Sequence, residues 1–191
     1  MACVNSRYNA RPDWLIVTHS ITKSRCVRNL GAWFNYTFDM SQHVTNLCSA
    51  SFFQLHNIRR IGKYLTQEAA ATLVHFFVTC RVDYCNSSLY GLSDYLLAKL
   101  QRVQNSAARL VYKESKFCQI TPLSKKLHWL PITFRIRFKI ALLTYKAISG
   151  LAPSYIIDLI SIKTGVNYSL RSGNELLLNF PSRNSYSTLR E

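Results

Sequence analysis

Four basic side chains, Lys99, Arg102, Arg109 and Lys113, recur along one stretch of the chain. Wound into a helix at ~100° per residue, they fall within an arc of roughly 80°. No acidic residue shares that arc, whereas a solvated helix face ordinarily mixes signs. Phosphate contact asks only for point charges at backbone spacing, so the stripe is a candidate surface for RNA or DNA backbone. The alternative is a plain solvated face. Arg135, Lys139 and Lys146 form a narrower strip on a later helix, open to the same chemistry or to burial against neighbours. Arg59, Arg60 and Lys63 stand near the end of an earlier helix, where cations also complement the helix dipole.

Other constellations carry less. His75, Cys80 and Cys85 invite a metal reading, but zinc ligands pair two to four residues apart and a fourth ligand is missing. His75 and Cys80, five apart on a helix, lie on different faces, so a core histidine and buried thiols are expected and no metal site. Asp83 with His128, or Ser93 with His75, lacks the nucleophile elbow of a hydrolase. Ser93 suits a helix cap and Asp83 a turn. Trp129 and Tyr145 could stack on bases, but aromatics at helical spacing point to the core. No cofactor and no small-molecule substrate are implied.

Composition narrows the classes. The chain has 191 residues, 48% hydrophobic and 17% charged, with 24 Lys and Arg against 9 Asp and Glu, a net charge of +15. That is a globular composition whose charge speaks of polyanionic partners. Residues 99–146 carry eleven of the cations and one acid, Glu114. Chemistry needing several carboxylates is disfavoured. The apolar run Ala69 to Cys80 is too short to span a bilayer, and Met1 to Pro12 lacks the apolar core of a signal peptide. Six scattered cysteines without a C-x-x-C pair fit a reducing compartment. The expectation is an intracellular protein of nucleus or cytoplasm, not secreted, with no transmembrane segment.

These side chains are positioned by a mainly α-helical chain with a small β element near the N-terminus. Residues 1–24 read as a weakly structured segment, 25–163 as the helical domain and 164–191 as a polar tail. Residues 25–34 read as one strand, with Gly31 a bulge or close approach. A helix follows from Ser41, its cap, with Val44, Leu47, Cys48, Ser51, Phe52, Leu55 and Ile58 on one face and Gly62 ending it. Thr66 caps a helix over 67–81, apolar on most faces and so expected at the buried centre. Ser93 caps a third over 94–113, with Leu96, Leu100, Val103, Ala107, Leu110 and Val111 inward. Thr121-Pro122 opens a short helix to Leu127. A long one over 132–148 ends at Gly150, in the left-handed region. Its two apolar faces, Ile136, Ile140, Leu143, Ala147 and Phe134, Phe138, Ala141, Tyr145, predict a helix sandwiched between neighbours. Pro153 starts a last short helix, and Leu176 to Phe180 is a candidate strand.

Six ordered segments give a resemblance. Val27-Arg-Asn-Leu-Gly with Trp33-Phe34, Arg59 to Thr72 (RRIGKYLTQEAAAT), Val82-Asp-Tyr-Cys-Asn-Ser, Leu100 to Val111, Leu127-His-Trp-Leu-Pro-Ile and Leu142 to Tyr155 (LLTYKAISGLAPSY) are ordered as in one family. The chain resembles, from about residue 5 to residue 182, the C-terminal part of reverse transcriptases of non-LTR retrotransposons of the jockey, CR1 and L2 type. The resemblance implies a strand closing a polymerase palm, then a bundle-like thumb region that grips template–primer backbone. The family's adjacent palm aspartates, which hold two metal ions, have no match: Asp13, Asp39, Asp83, Asp94 and Asp158 are scattered. What it implies is a fragment without catalysis, from a truncated or degenerate copy, whose palm another chain could supply. A non-functional or protein-interacting fragment is the competing expectation.

Overall fold

Asp39 starts the first long helix. Its carboxylate accepts hydrogen bonds from the Ser41 amide and hydroxyl, both at 2.9 Å, and these bonds hold its carboxyl below the usual range. Ser41, expected as the cap, is instead the first residue of α1 (Ser41–Ile61), behind Met40 at φ 55°. The computed structural model describes residues 26–37, 39–162 and 178–179. Readings for 1–24 lie outside the described residues, as do those for the tail apart from Leu178 and Asn179.

The single strand expected over 25–34 is a hairpin. β1 (Cys26–Asn29) and β2 (Ala32–Asn35) pair antiparallel, with Cys26 opposite Asn35 and Asn29 opposite Ala32. Leu30 and Gly31 make the turn with φ of 46° and 87°. Two consecutive left-handed residues match the twist of the flanking strands. Leu30 disguised the turn, because Asn or Asp ordinarily stands there. The Tyr84 hydroxyl donates to the Leu30 carbonyl and ties the hairpin to the helices.

α1 buries Val44, Leu47, Cys48, Ser51, Leu55 and Ile58, as its spacing predicts, and also His43. Phe52 departs from that face and is 44% exposed; at ~100° per residue it sits at the margin of the stripe. Gly62 does not stop the chain in a left-handed conformation. With φ −56° it continues into a 3-10 turn, Gly62–Tyr64.

The Thr66 hydroxyl caps α2 (Gln67–Val74) by accepting from the Ala69 amide at 3.2 Å. The helix runs through a π segment, His75–Thr79, into α3 (Cys80–Asp83). The wider π turn shifts the inward face, so Val74, Val78, Thr79 and Val82 are buried while His75, Phe76 and Cys80 are exposed. This helix is therefore not buried all round.

The centre is α4 (Asp94–Val111), which packs against α1, α2, α5 and α6. Leu100, Val103, Ala107, Ala108 and Val111 on it are all but inaccessible. Ser93 stands at its N-terminus without a side-chain cap bond. A 3-10 turn, Asn86–Leu89, precedes it and packs on α6. α5 (Ile120–Lys126) begins one residue before the expected cap, with Pro122 still in the first turn, where its missing N–H costs nothing.

α6 (Ile132–Ile148) closes at Gly150, φ 69°. Ile132, Ile136 and Ala147 are buried, with Ile140 and Leu143 partly so. The opposite apolar face is not sandwiched: Phe134, Phe138 and Tyr145 are 55%, 59% and 65% exposed. Two glutamines of α4 fasten α6. Gln101 Oε1 accepts from the Ile132 amide at 2.9 Å, and Gln104 Nε2 donates to the Leu130 carbonyl at 2.7 Å. The first amide of α6 would otherwise lack a partner. α7 (Ser154–Ile157) follows, and Leu178, within the candidate strand, makes an isolated antiparallel bridge to Ile162. The architecture is mainly α with one small hairpin near the N-terminus. No helix among the described residues is long and apolar enough to cross a membrane.

Candidate nucleic-acid interface

The basic residues at the end of α1 and those at the end of α4 meet. Arg59, Gly62, Lys63, Ala70, Ser106, Arg109, Leu110 and Lys113 to Lys116 line one cleft of about 610 Å³. The last turn of α4 builds it. The Glu114 amide donates to the Arg109 carbonyl at 2.9 Å and the Lys113 amide to the Leu110 carbonyl at 3.1 Å. This is the Schellman closure of a helix, with Lys113 in the left-handed position that glycine usually takes, φ 55°. Lys113 therefore leaves the helix and swings toward α1.

Four of the five cations of the cleft have a neutral partner. Arg109 donates from Nε and Nη2 to the Cys118 carbonyl at 3.2 and 3.0 Å, pinning the loop after α4. Lys113 Nζ donates to the Leu65 carbonyl at 3.1 Å. Lys63 lies over the Tyr64 ring at 4.8 Å and Lys116 over Phe117 at 4.9 Å. Arg59 is exposed. A carbonyl or ring face orients a cation without cancelling its charge, so these positive charges add along the cleft, against Glu114 alone among its lining residues.

Of the α4 stripe, Arg109 and Lys113 line the cleft and Lys99 and Arg102 do not. Arg109 and Lys113 serve the cleft, and each also has a structural task. Lys99 and Arg102 lie nearer α1, where their charges oppose the rise that burial imposes on the Cys48 thiol pKa. Lys99 stacks on Tyr95 at 4.5 Å, and Arg102 is exposed with Nε bonded to the Ala98 carbonyl at 3.4 Å. Arg60 is exposed at the end of α1 and does not line the cleft.

Arg135 is paired with an acid. Its Nη2 lies 3.1 Å from the Asp83 carboxylate, joining α6 to the end of α3. Burial raises the Asp83 carboxyl above its ordinary value, although Arg135, His75 and Lys139 each pull it down. Lys139 and Lys146 are exposed.

Other expectations need correction. His75, Cys80 and Cys85 are exposed rather than a core histidine and buried thiols: the π segment turns the side holding His75 and Cys80 outward, and Cys85 stands in the turn after α3 with φ 54°. Among the described residues no three potential metal ligands cluster. Among the described residues the buried histidine is His43. Its Nδ1 accepts from the Trp33 amide at 3.4 Å, its Nε2 has no partner among the described residues, and burial lowers its pKa. Lys116 was missed because a loop residue has no periodicity to reveal it, although it lies within the cation-rich segment.

Comparison with protein-family models, curated proteins and solved structures gives no match to this chain.

Proposed function

We propose that the cleft between the ends of α1 and α4 grips the phosphate backbone of a nucleic acid without reading its sequence. One observation carries this reading. Arg59, Lys63, Arg109, Lys113 and Lys116 come from separate stretches of the chain and converge on one cleft, none of them paired with an acid among the described residues. A groove lined by one sign of charge focuses the field that attracts a polyanion. The ordered segments quoted above and the helical architecture support a further step. The chain is the thumb-like region of a retrotransposon RNA-directed DNA polymerase, and these residues bind template–primer rather than carry out its chemistry.

The test is binding of a short RNA–DNA hybrid across a range of salt concentrations. Each phosphate contact contributes about −0.9 to the slope of log affinity against log salt on duplex DNA. Alanine at Arg59, Lys63 and Lys116 together should flatten the slope by about two to three units, with helicity unchanged. Undetectable binding at low salt, or an affinity indifferent to salt, rejects the reading.

A second reading is favoured by Phe52 and Phe53, 44% and 61% exposed on α1. Aromatics left open on a helix suit docking to a protein partner, such as a polymerase palm on another chain. Size-exclusion chromatography with and without nuclease separates the two: a protein-docked complex survives nuclease, whereas a nucleic-acid complex does not.

A further inference from the structure

We propose that the outward face of α6 is a stacking platform for unpaired bases of single-stranded nucleic acid. The inference rests on the nucleic-acid reading above but places a second contact on a different surface, specific for single strands.

α6 sorts its apolar residues by type. Aliphatic Ile132, Ile136, Ile140 and Leu143 turn inward, while Phe134, Phe138 and Tyr145 turn outward, each more than half exposed. With Ala141 they fall within about 60° of the helix circumference. Phe134 and Phe138 are about 6 Å apart along the axis, and Tyr145 lies about 10 Å beyond. Burial alone gives no reason to place the rings, rather than the aliphatics, in solvent.

The ring faces are also open. Three exposed rings elsewhere are covered by a neighbouring lysine, Tyr64 by Lys63 at 4.8 Å, Tyr95 by Lys99 at 4.5 Å and Phe117 by Lys116 at 4.9 Å, whereas Phe52, Phe53, Tyr90 and Tyr155 are exposed singly or in pairs without one among the described residues. Among the described residues no cation covers Phe134, Phe138 or Tyr145, although α6 holds exposed Arg137, Lys139 and Lys146. Arg137 stands about 40° from one edge of the stripe and Lys146 and Lys139 about 80° and 100° from the other; α6 contains no acid, and Asp83 at the end of α3 lines a pocket with Phe138 and Lys139. Open rings bordered by cations of one sign are the elements of single-strand recognition: bases stack on rings while phosphates meet the flanking charges.

The experiment uses the full chain, a fluorescent oligothymidylate, the same oligomer with abasic sites, and an RNA–DNA hybrid. Phe138→Ala with Tyr145→Ala should weaken oligothymidylate binding by about tenfold or more, change abasic and hybrid binding less than about twofold, and leave the melting temperature in place. Phe138→Trp should retain wild-type affinity. Equal oligothymidylate binding by wild type and the double alanine variant overturns the inference while leaving the cleft reading intact. Loss of self-association without loss of oligothymidylate binding overturns it too, and assigns the face to protein contact. If wild type binds neither oligothymidylate nor hybrid, the platform and the cleft reading fall together.

Discussion

The Arg109 guanidinium holds the Cys118 carbonyl through two hydrogen bonds, 3.2 Å from Nε and 3.0 Å from Nη2. This fork spans the loop between α4 and α5 and shapes one wall of the basic cleft. A point-charge ammonium cannot reproduce it. Arg109→Lys should therefore keep the charge, destabilise the fold by about 1–2 kcal/mol and speed amide exchange in residues 112–119. Urea denaturation and hydrogen exchange test this. Unchanged exchange would show that the fork does not hold the loop.

Lys113 occupies a left-handed position, φ 55°, that costs a side-chain-bearing residue about 1 kcal/mol relative to glycine. Lys113→Gly should recover part of that, offset by loss of the bond to the Leu65 carbonyl. The net effect on stability is small, within about 1 kcal/mol, while hybrid affinity at low salt drops. Most variants that weaken binding also weaken the fold, so this separation is diagnostic.

His43 gives stability a pH dependence whose sign follows from its burial. Its folded pKa lies below its ordinary value, so the unfolded chain binds the proton more readily. The contribution of His43 is fully present above its ordinary pKa and is lost as pH falls from there toward the folded value. Urea midpoints measured downward from pH 8 should fall more steeply for wild type than for His43→Asn, whose Oδ1 takes the place of Nδ1 and can still accept from the Trp33 amide. Parallel curves would assign the loss to other groups.

Gln104 is buried at 6% exposure and donates to the Leu130 carbonyl at 2.7 Å. Gln104→Leu keeps the volume and removes the donor. It should cost about 1–3 kcal/mol in chemical denaturation and fray the start of α6. A neutral result would mean that water satisfies the carbonyl.

Much of the chain is legible one residue at a time. Val44, Leu47, Leu55, Leu100, Val103 and Val111 are buried where helical spacing puts them, because an amphipathic period depends only on local geometry. Thr66 and Gly150 mark helix ends for the same reason. The net charge of +15 and its concentration within residues 99–146 are properties of composition alone.

What tertiary structure decided is which charges are spent and which rings are open. Arg135 and Lys139 share one helix, yet Arg135 faces Asp83 across the fold and Lys139 faces solvent. Arg109 and Lys113 are joined to Arg59 and Lys63 by helix packing, which no spacing rule along one helix encodes. The π segment turned His75 and Cys80 outward, and Leu30 turned a strand into a hairpin, through backbone choices that local residue preference does not dictate. Periodicity locates apolar faces, but only the packing partner determines which is covered, and on α6 Phe138 is left open while Ile136 is buried.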